Sequence, residues 1–223
     1  AGTLTLSGAN TYGGATTVNN GVLSISSDTN LGSIPGSVII ASVVLDGGAL
    51  QATENLTLHS NRGVLLGATG GGLAATTGVE LKYAGSIGGA YTLTINGGGQ
   101  SGQVTLSGSN AYSATVIATG TLQIGDGDVS GTLGTAAVTN NGTLVFKRTD
   151  AIAVTQVISG TGAVNLIGTD SGSLMLSSGA NTYSGNTRII SGVLLAGAST
   201  TGNIESGPFG TGSVTVSDGA TLD

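Results

Sequence analysis

Apolar and polar residues alternate along this chain in short bursts of three to five positions, and no stretch carries the period of an amphipathic helix. Thr3–Leu6, Val22–Ile25, Ala49–Ala52, Leu56–Leu58, Val64–Leu66, Val79–Tyr83, Val104–Leu106, Thr121–Ile124, Thr143–Phe146, Ala163–Ile167 and Ser173–Leu176 are typical. Each reads as a strand with one face turned inward. Ser37–Ile40 and Val43–Leu45 read as two further strands, and the Gly/Thr-rich stretch Gly67–Gly78 reads as a loop excursion. The turns carry Asn20-Gly21, Asn96-Gly97, Asn141-Gly142, Asp46-Gly47 and Asp218-Gly219. Such dipeptides accept positive φ and turn the chain at low steric cost. Their spacing suits either an antiparallel sandwich or a solenoid of stacked coils.

Repetition decides between the two. Residues 3–25 read TLTLSGANTYGGATTVNNGVLSI, residues 103–124 read QVTLSGSNAYSATVIATGTLQI, and residues 172–195 read GSLMLSSGANTYSGNTRIISGVLL. A sandwich has no reason to reuse one phrase three times. A parallel β-helix does, because each coil buries its inward side chains only against the coils beside it. The expectation is therefore an all-β, right-handed parallel β-helix of about ten coils. Each would take roughly 20 to 24 residues, and residues 1–223 would form a single segment cut from a longer array.

Composition narrows this further. Gly supplies 42 of the 223 residues, Cys and Trp are absent, and charged residues make up 7%. An apolar fraction of 39% argues against disorder. The apolar residues are mostly aliphatic, which implies a thin core of like stacked on like. With a net charge of −6 and only Arg62, Lys82, Lys147, Arg148 and Arg188 basic, there is no electrostatic footprint for nucleic acid. The longest apolar run, Val38–Leu45, is far too short for a membrane helix.

Residues 120–190 run through GTLQIGDGDVSGTLG, VTNNGTLVFKRTD, VISGTGAVNLIG and GSLMLSSGANTYSGNTRI. This succession resembles the autotransporter-associated β-strand repeat of passenger domains in type V secreted proteins. The resemblance covers residues 1–45 and 100–223, while 46–99 depart from it as divergent coils or an insertion. It implies a right-handed parallel β-helix at the outer-membrane surface of a Gram-negative bacterium, or released from it. The implied role is a stalk or adhesin passenger that meets host or neighbouring cells, glycans, or its own kind. A self-assembling fibre or sheath is the alternative, and a polysaccharide-degrading β-helix enzyme the third reading.

Candidate chemistry is thin. The single histidine, His59, stands beside Ser60, but adjacent strand residues face opposite ways, so His59 reads as a turn residue and not as a base for Ser60. The eleven acids are scattered, and only Asp126 and Asp128 fall close together, in Gly125-Asp126-Gly127-Asp128. That pattern suits a calcium loop in part, yet no further carboxylate follows at ligand spacing, and a strand-ending turn is the preferred reading. Lys147, Arg148 and Asp150 read as a solvated turn with a local ion pair. Tyr12, Tyr112 and Tyr183 recur at one place in the phrase and read as structural caps over coil edges, with sugar platforms as the alternative. Asn10, Asn110 and Asn181, two places earlier, read as side chains that satisfy backbone groups at the turn. Asn55-Leu56-Thr57 fits a glycosylation sequon by composition alone. No catalytic, cofactor or metal residue is assigned, and no cofactor is expected.

Overall fold

The computed structural model describes residues 2–168, 172–199 and 206–223. Every strand pairing within it is parallel. The chain visits three sheets in rotation. Ala49–Ala52 lies in the first sheet, Leu56–Leu58 in the second and Arg62–Leu66 on the third side, and Gly71–Ala75 returns to the first. The first sheet orders its strands from Thr3–Leu6 through Thr115–Ile117 to Ile158–Ser159, and the second runs from Leu56–Leu58 to Val214–Val216. The third side carries two four-stranded groups. One consists of Thr16–Asn19, Ile39–Asp46, Arg62–Leu66 and Ile87–Gly88. The other consists of Ala151–Val154, Ser173–Leu176, Val193–Ala196 and Thr221–Leu222. The result is a β-solenoid of about nine turns.

The thin core forms because register places like beside like. On the second sheet Leu58, Tyr83, Leu106, Ile124, Phe146, Leu166 and Ile189 stack in one inward column. Leu56, Leu81, Val104, Leu122, Leu144 and Val164 form the adjoining one. On the first sheet Leu23, Leu50, Leu73, Ile95 and Ile117 do the same. These side chains are almost wholly buried. Hydrophobic stabilisation is therefore distributed coil by coil, each coil depending on its two neighbours.

The repeated phrase acquires a geometric meaning here. Its first and third strands pair with each other in all three copies: Thr3 beside Val22, Gln103 beside Thr121, Ser173 beside Val193. One copy is thus one closed turn plus the strand that starts the next. The copies begin on different sides, at the first sheet, the second sheet and the third side in chain order. Asn20-Gly21, with φ of 65° and 73°, carries the chain from the third side to the first sheet and does not fold a hairpin.

Three expectations are corrected. Gly67–Gly78 is no excursion, since Gly71–Ala75 is a strand with Leu73, Ala74 and Ala75 buried. Its glycines hide it from a propensity reading, yet they are required by packing: a Cβ on Gly71 would lie 2.4 Å from that of Leu45. Ser37–Ile40 and Val43–Leu45 are one bulged strand, Ile39–Asp46. Coil length also varies more than expected, from 18 residues between Gln103 and Thr121 to 28 between Val193 and Thr221, and the coil from Val22 to Ala49 is nearly as long at 27. The extra residues of that 27-residue coil include a turn of 3-10 helix at Asp28–Leu31 and the loop after it. The strands within 46–99 join the same sheets as their neighbours.

Candidate functional site

The most repeated constellation is a corner built from asparagine, tyrosine and glycine. In copy one, Asn10 Nδ2 donates to the Asn30 carbonyl of the next coil at 2.8 Å; in copy two, Asn110 Nδ2 donates to that of Thr132 at 2.7 Å. Asn181 Nδ2 donates to that of Pro208 at 2.9 Å. In the later copies the amide oxygen also accepts from the coil below, from the Ile87 and Ile158 backbone N–H groups. Each of these two asparagines ties three successive coils together. They satisfy backbone groups, as the sequence implies: Asn10 and Asn110 donate within their own turn, to the Gly8 and Gly108 carbonyls at 3.3 Å, and all three asparagines also bond across coils.

Two residues on, a tyrosine ring lies beneath a glycine of the next coil. A Cβ on Gly134 would sit 2.4 Å from the Tyr112 ring, and one on Gly32 or Gly210 would sit 2.9 or 3.0 Å from that of Tyr12 or Tyr183. The hydroxyls pair with a threonine of the following strand, Thr16 at 3.0 Å, Thr115 at 3.1 Å and Thr187 at 2.6 Å. Tyr112 and Tyr183 are fully buried, and burial pushes the Tyr112 phenol up and that of Tyr183 to about 12. They are interior props at the corner, not covers over a coil edge, and neither offers a face to a sugar. Tyr12, packed from one side only, is 38% exposed.

Asp126 and Asp128 form not the expected turn after a strand but the bulged end of the strand Thr121–Asp128, and this end is already furnished with cations from within the chain. Asp126 accepts from Lys82 Nζ at 2.6 Å and faces Lys147 Nζ at 3.7 Å, and the Lys82 bond holds its carboxyl below the usual range. Asp128 accepts from the Ser130 N–H at 2.8 Å. Arg148 reaches into the loop, donating to the Val129 and Gly131 carbonyls while gripping Asp150 with two bonds of 2.8 and 2.7 Å. The solvated-turn reading of Arg148 is therefore corrected: its side chain is 10% exposed and fastens the loop of one coil to the strand of the next. Among the described residues no three His, Cys, Asp or Glu side chains gather as a metal cluster. Asp170 and Glu205 lie outside the described residues.

Glu80 and Asp126 share Lys82, at 3.9 and 2.6 Å, which places two carboxylates on one face. Glycoside hydrolysis needs one of such a pair protonated near neutral pH. Here Asp126 is held in its charged form, and Glu80 Oε1 accepts from Gln103 and Thr105 at 2.8 and 2.7 Å. The arrangement is a cross-coil clamp. His59 follows the strand Leu56–Leu58, its Nδ1 accepting from the Asn61 N–H at 3.1 Å, which is the expected turn role. Asn55 of the sequon uses its Oδ1 to accept from the Glu80 N–H at 2.8 Å.

Sequence reasoning missed Arg62. It is 2% exposed, pairs with Asp28 at 2.9 Å, and donates to the carbonyls of Asp28, Leu31, Gly32 and Ser33. It plugs the 3-10 turn that lengthens the 27-residue coil. The available signal was an arginine opening an otherwise apolar strand, RGVLL, one coil after that long loop.

The model of the passenger-associated-transport repeat matches residues 1–25, 100–124 and 166–202, which contain the three copies of the phrase. These three blocks are similar to passenger-associated transport repeats. It is 40% identical over 165 residues, 74% of its length, to the adhesin BmaC autotransporter of Brucella suis biovar 1 (strain 1330). It spans 4% of that protein's length. No solved structure matches the chain. The resemblance read from the residues to autotransporter passenger repeats thus stands, and its matched blocks coincide with copies that each close one turn.

Proposed function

We propose that this chain is a non-catalytic segment of a passenger displayed at or beyond the outer membrane of a Gram-negative bacterium. It acts there as a rigid stalk that holds adhesive surface away from the cell. The observation that carries this reading is that each phrase copy closes one turn and begins the next, so repetition translates directly into length. At the inter-strand spacing of ~4.8 Å, nine turns give roughly 40 Å of rod. The second sheet's ladder runs unbroken through eight strands, the core is shared between neighbouring coils, and the charged groups that meet are engaged with one another. The 40% identity to part of an adhesin supports the setting.

The test is display. The chain is inserted between an epitope and an outer-membrane barrel on Gram-negative cells, and cell attachment to epithelial monolayers and neighbouring bacteria is counted against the barrel with epitope alone. The reading expects an antibody-accessible epitope, protease-resistant rods in electron micrographs of the released chain, and increased attachment. Cleavage of a polysaccharide by the purified chain, abolished by Asp126→Asn, would overturn it. Long filaments of the purified chain would instead favour a sheath.

A further inference from the structure

Among the described residues one buried side-chain atom has no hydrogen-bond partner, Asp28 Oδ2. The single histidine touches the same carboxylate. The His59 backbone N–H donates to Asp28 Oδ1 at 3.1 Å, beside the Arg62 Nε bond of 2.9 Å. The His59 ring faces its own turn instead: Nδ1 accepts from the Asn61 N–H at 3.1 Å, and the His59 carbonyl accepts from the Arg62 N–H at 2.9 Å. A ring nitrogen that accepts carries no proton, so this bond holds neutral His59 as the Nε2–H tautomer.

The two residues that this turn positions divide the loop of the long coil between them. Arg62 grips the first half, through the carbonyls of Asp28, Leu31, Gly32 and Ser33. Asn61 grips the second half. Its Nδ2 donates to the Pro35 carbonyl at 2.8 Å, and its own carbonyl accepts from the Ile39 N–H at 2.9 Å. That second half is apolar and turned outward: Ile34, Val38, Ile39 and Ile40 are 46% to 73% exposed, and residues 29–45 carry no charged side chain.

We propose that His59 is a proton-operated latch on this apolar half of the loop. A proton taken from solvent onto Nδ1 sets one N–H against that of Asn61, and two donors cannot share a bond. The ring then turns its new N–H to Asp28 Oδ2, the orphan acceptor on the carboxylate that its backbone already touches, and a charge-assisted bond replaces the lost one. Asn61 loses the contact that fixes it, so its bonds to Pro35 and Ile39 open. Arg62, still on Asp28 Oδ1, keeps residues 28–33 in place. The charged and titratable groups packed on this turn are Asp28 from the 3-10 turn, Arg62 from the following strand, and Tyr83 from the strand Glu80–Tyr83, whose hydroxyl donates to the Arg62 carbonyl at 2.8 Å. Burial pushes the Tyr83 phenol up and a guanidinium stays charged, so neither changes state where an imidazole ordinarily does, between about pH 5 and 8. Mild acid therefore frees residues 34–40 and leaves the rod wound, a local opening and not an unfolding. The latch belongs to the chain itself, so its failure leaves the stalk reading untouched.

Amide exchange of the isotope-labelled chain, read by NMR at about pH 7.5 and about pH 5.5 and corrected for intrinsic rates, tests this. Protection at Ile39 and Asn61 should fall roughly tenfold on acidification, as the loss of one hydrogen bond implies. Asn30 and Ser33, whose N–H groups donate to the Ser27 and Tyr12 carbonyls, should hold within about twofold. Imidazole nitrogen shifts should show the Nε2–H tautomer at the higher pH. His59→Asn keeps an oxygen acceptor near the Nδ1 position without titrating, so Ile39 should stay protected at both pH values, with circular dichroism melts establishing that the variant is folded. An Nδ1–H tautomer at the higher pH, unchanged protection at Ile39, loss spread evenly along the chain, or the same loss in His59→Asn would each overturn the proposal.

Discussion

Replacing Arg62 with alanine tests the reasoning about buried charge most sharply. The guanidinium donates to Asp28 Oδ1 and to four carbonyls of the 28–33 turn, and Asp28 Oδ2 is buried without a partner among the described residues. Removing Arg62 leaves the Asp28 carboxylate with only the His59 N–H at 3.1 Å. Breaking a buried pair from one side costs roughly 3–5 kcal/mol, a large share of the ~5–15 kcal/mol by which a domain is stable. Because coils depend on their neighbours, the loss should be concentrated between residues 22 and 66. Amide hydrogen exchange reads this locally, and urea denaturation followed by circular dichroism reads the total. The companion Arg62→Met with Asp28→Asn removes both charges and should recover much of the loss, because apolar substitutes for a buried pair are often near neutral. If Arg62→Ala lies within ~1 kcal/mol of the parent and residues 28–33 stay protected, the plug is not what holds the long coil.

Other consequences follow from the same geometry. Gly134→Ala places a Cβ 2.3 Å from the Ser113 carbonyl and against the Tyr112 ring, so it should cost about 1–3 kcal/mol in melting experiments. Gly36→Ala, with nothing within 4 Å, should be silent. Leu176→Asp puts a charge at a fully buried position and should unfold its own coil and the two beside it, seen as lost strand signal and lost amide protection. Asp126 titrates below its ordinary value of 3.8, so its stabilising contribution is complete above that value and is lost as pH falls through the folded-state value. Parent and Asp126→Asn should therefore differ in melting temperature from pH 7 down to about pH 4, and converge below it. A difference that grows on acidification would contradict the assignment of Lys82 as its partner.

Much of the winding was legible in the sequence. Ala49–Ala52 and Leu56–Leu58 alternate because one face meets a shared core, and the limits of these strands, like those of Thr3–Leu6 and Val22–Ile25, were readable from the residues. The repeat was legible because a coil stacked on a like coil sees the same environment. What could not be read was anything set by the next coil. Gly71 and Gly72 sit in a strand because neighbouring side chains leave no space, a fact about Leu45 and Ala49 and not about local propensity. The Tyr183 ring is buried by Gly210, 27 residues later, and Arg148 is drawn inward by carbonyls 17 and 19 residues earlier. Nor does a strand pattern say which side of a solenoid it will occupy, since the three phrase copies start on three different sides.

The central claim is that one phrase closes one turn, and NMR amide contacts in the isotope-labelled chain test it most directly. The account predicts parallel contacts between Thr3–Leu6 and Val22–Ile25, Gln103–Leu106 and Thr121–Ile124, and Ser173–Leu176 and Val193–Ala196. Antiparallel contacts between Thr16–Asn19 and Val22–Ile25 across Asn20-Gly21 would make that turn a hairpin and contradict the solenoid.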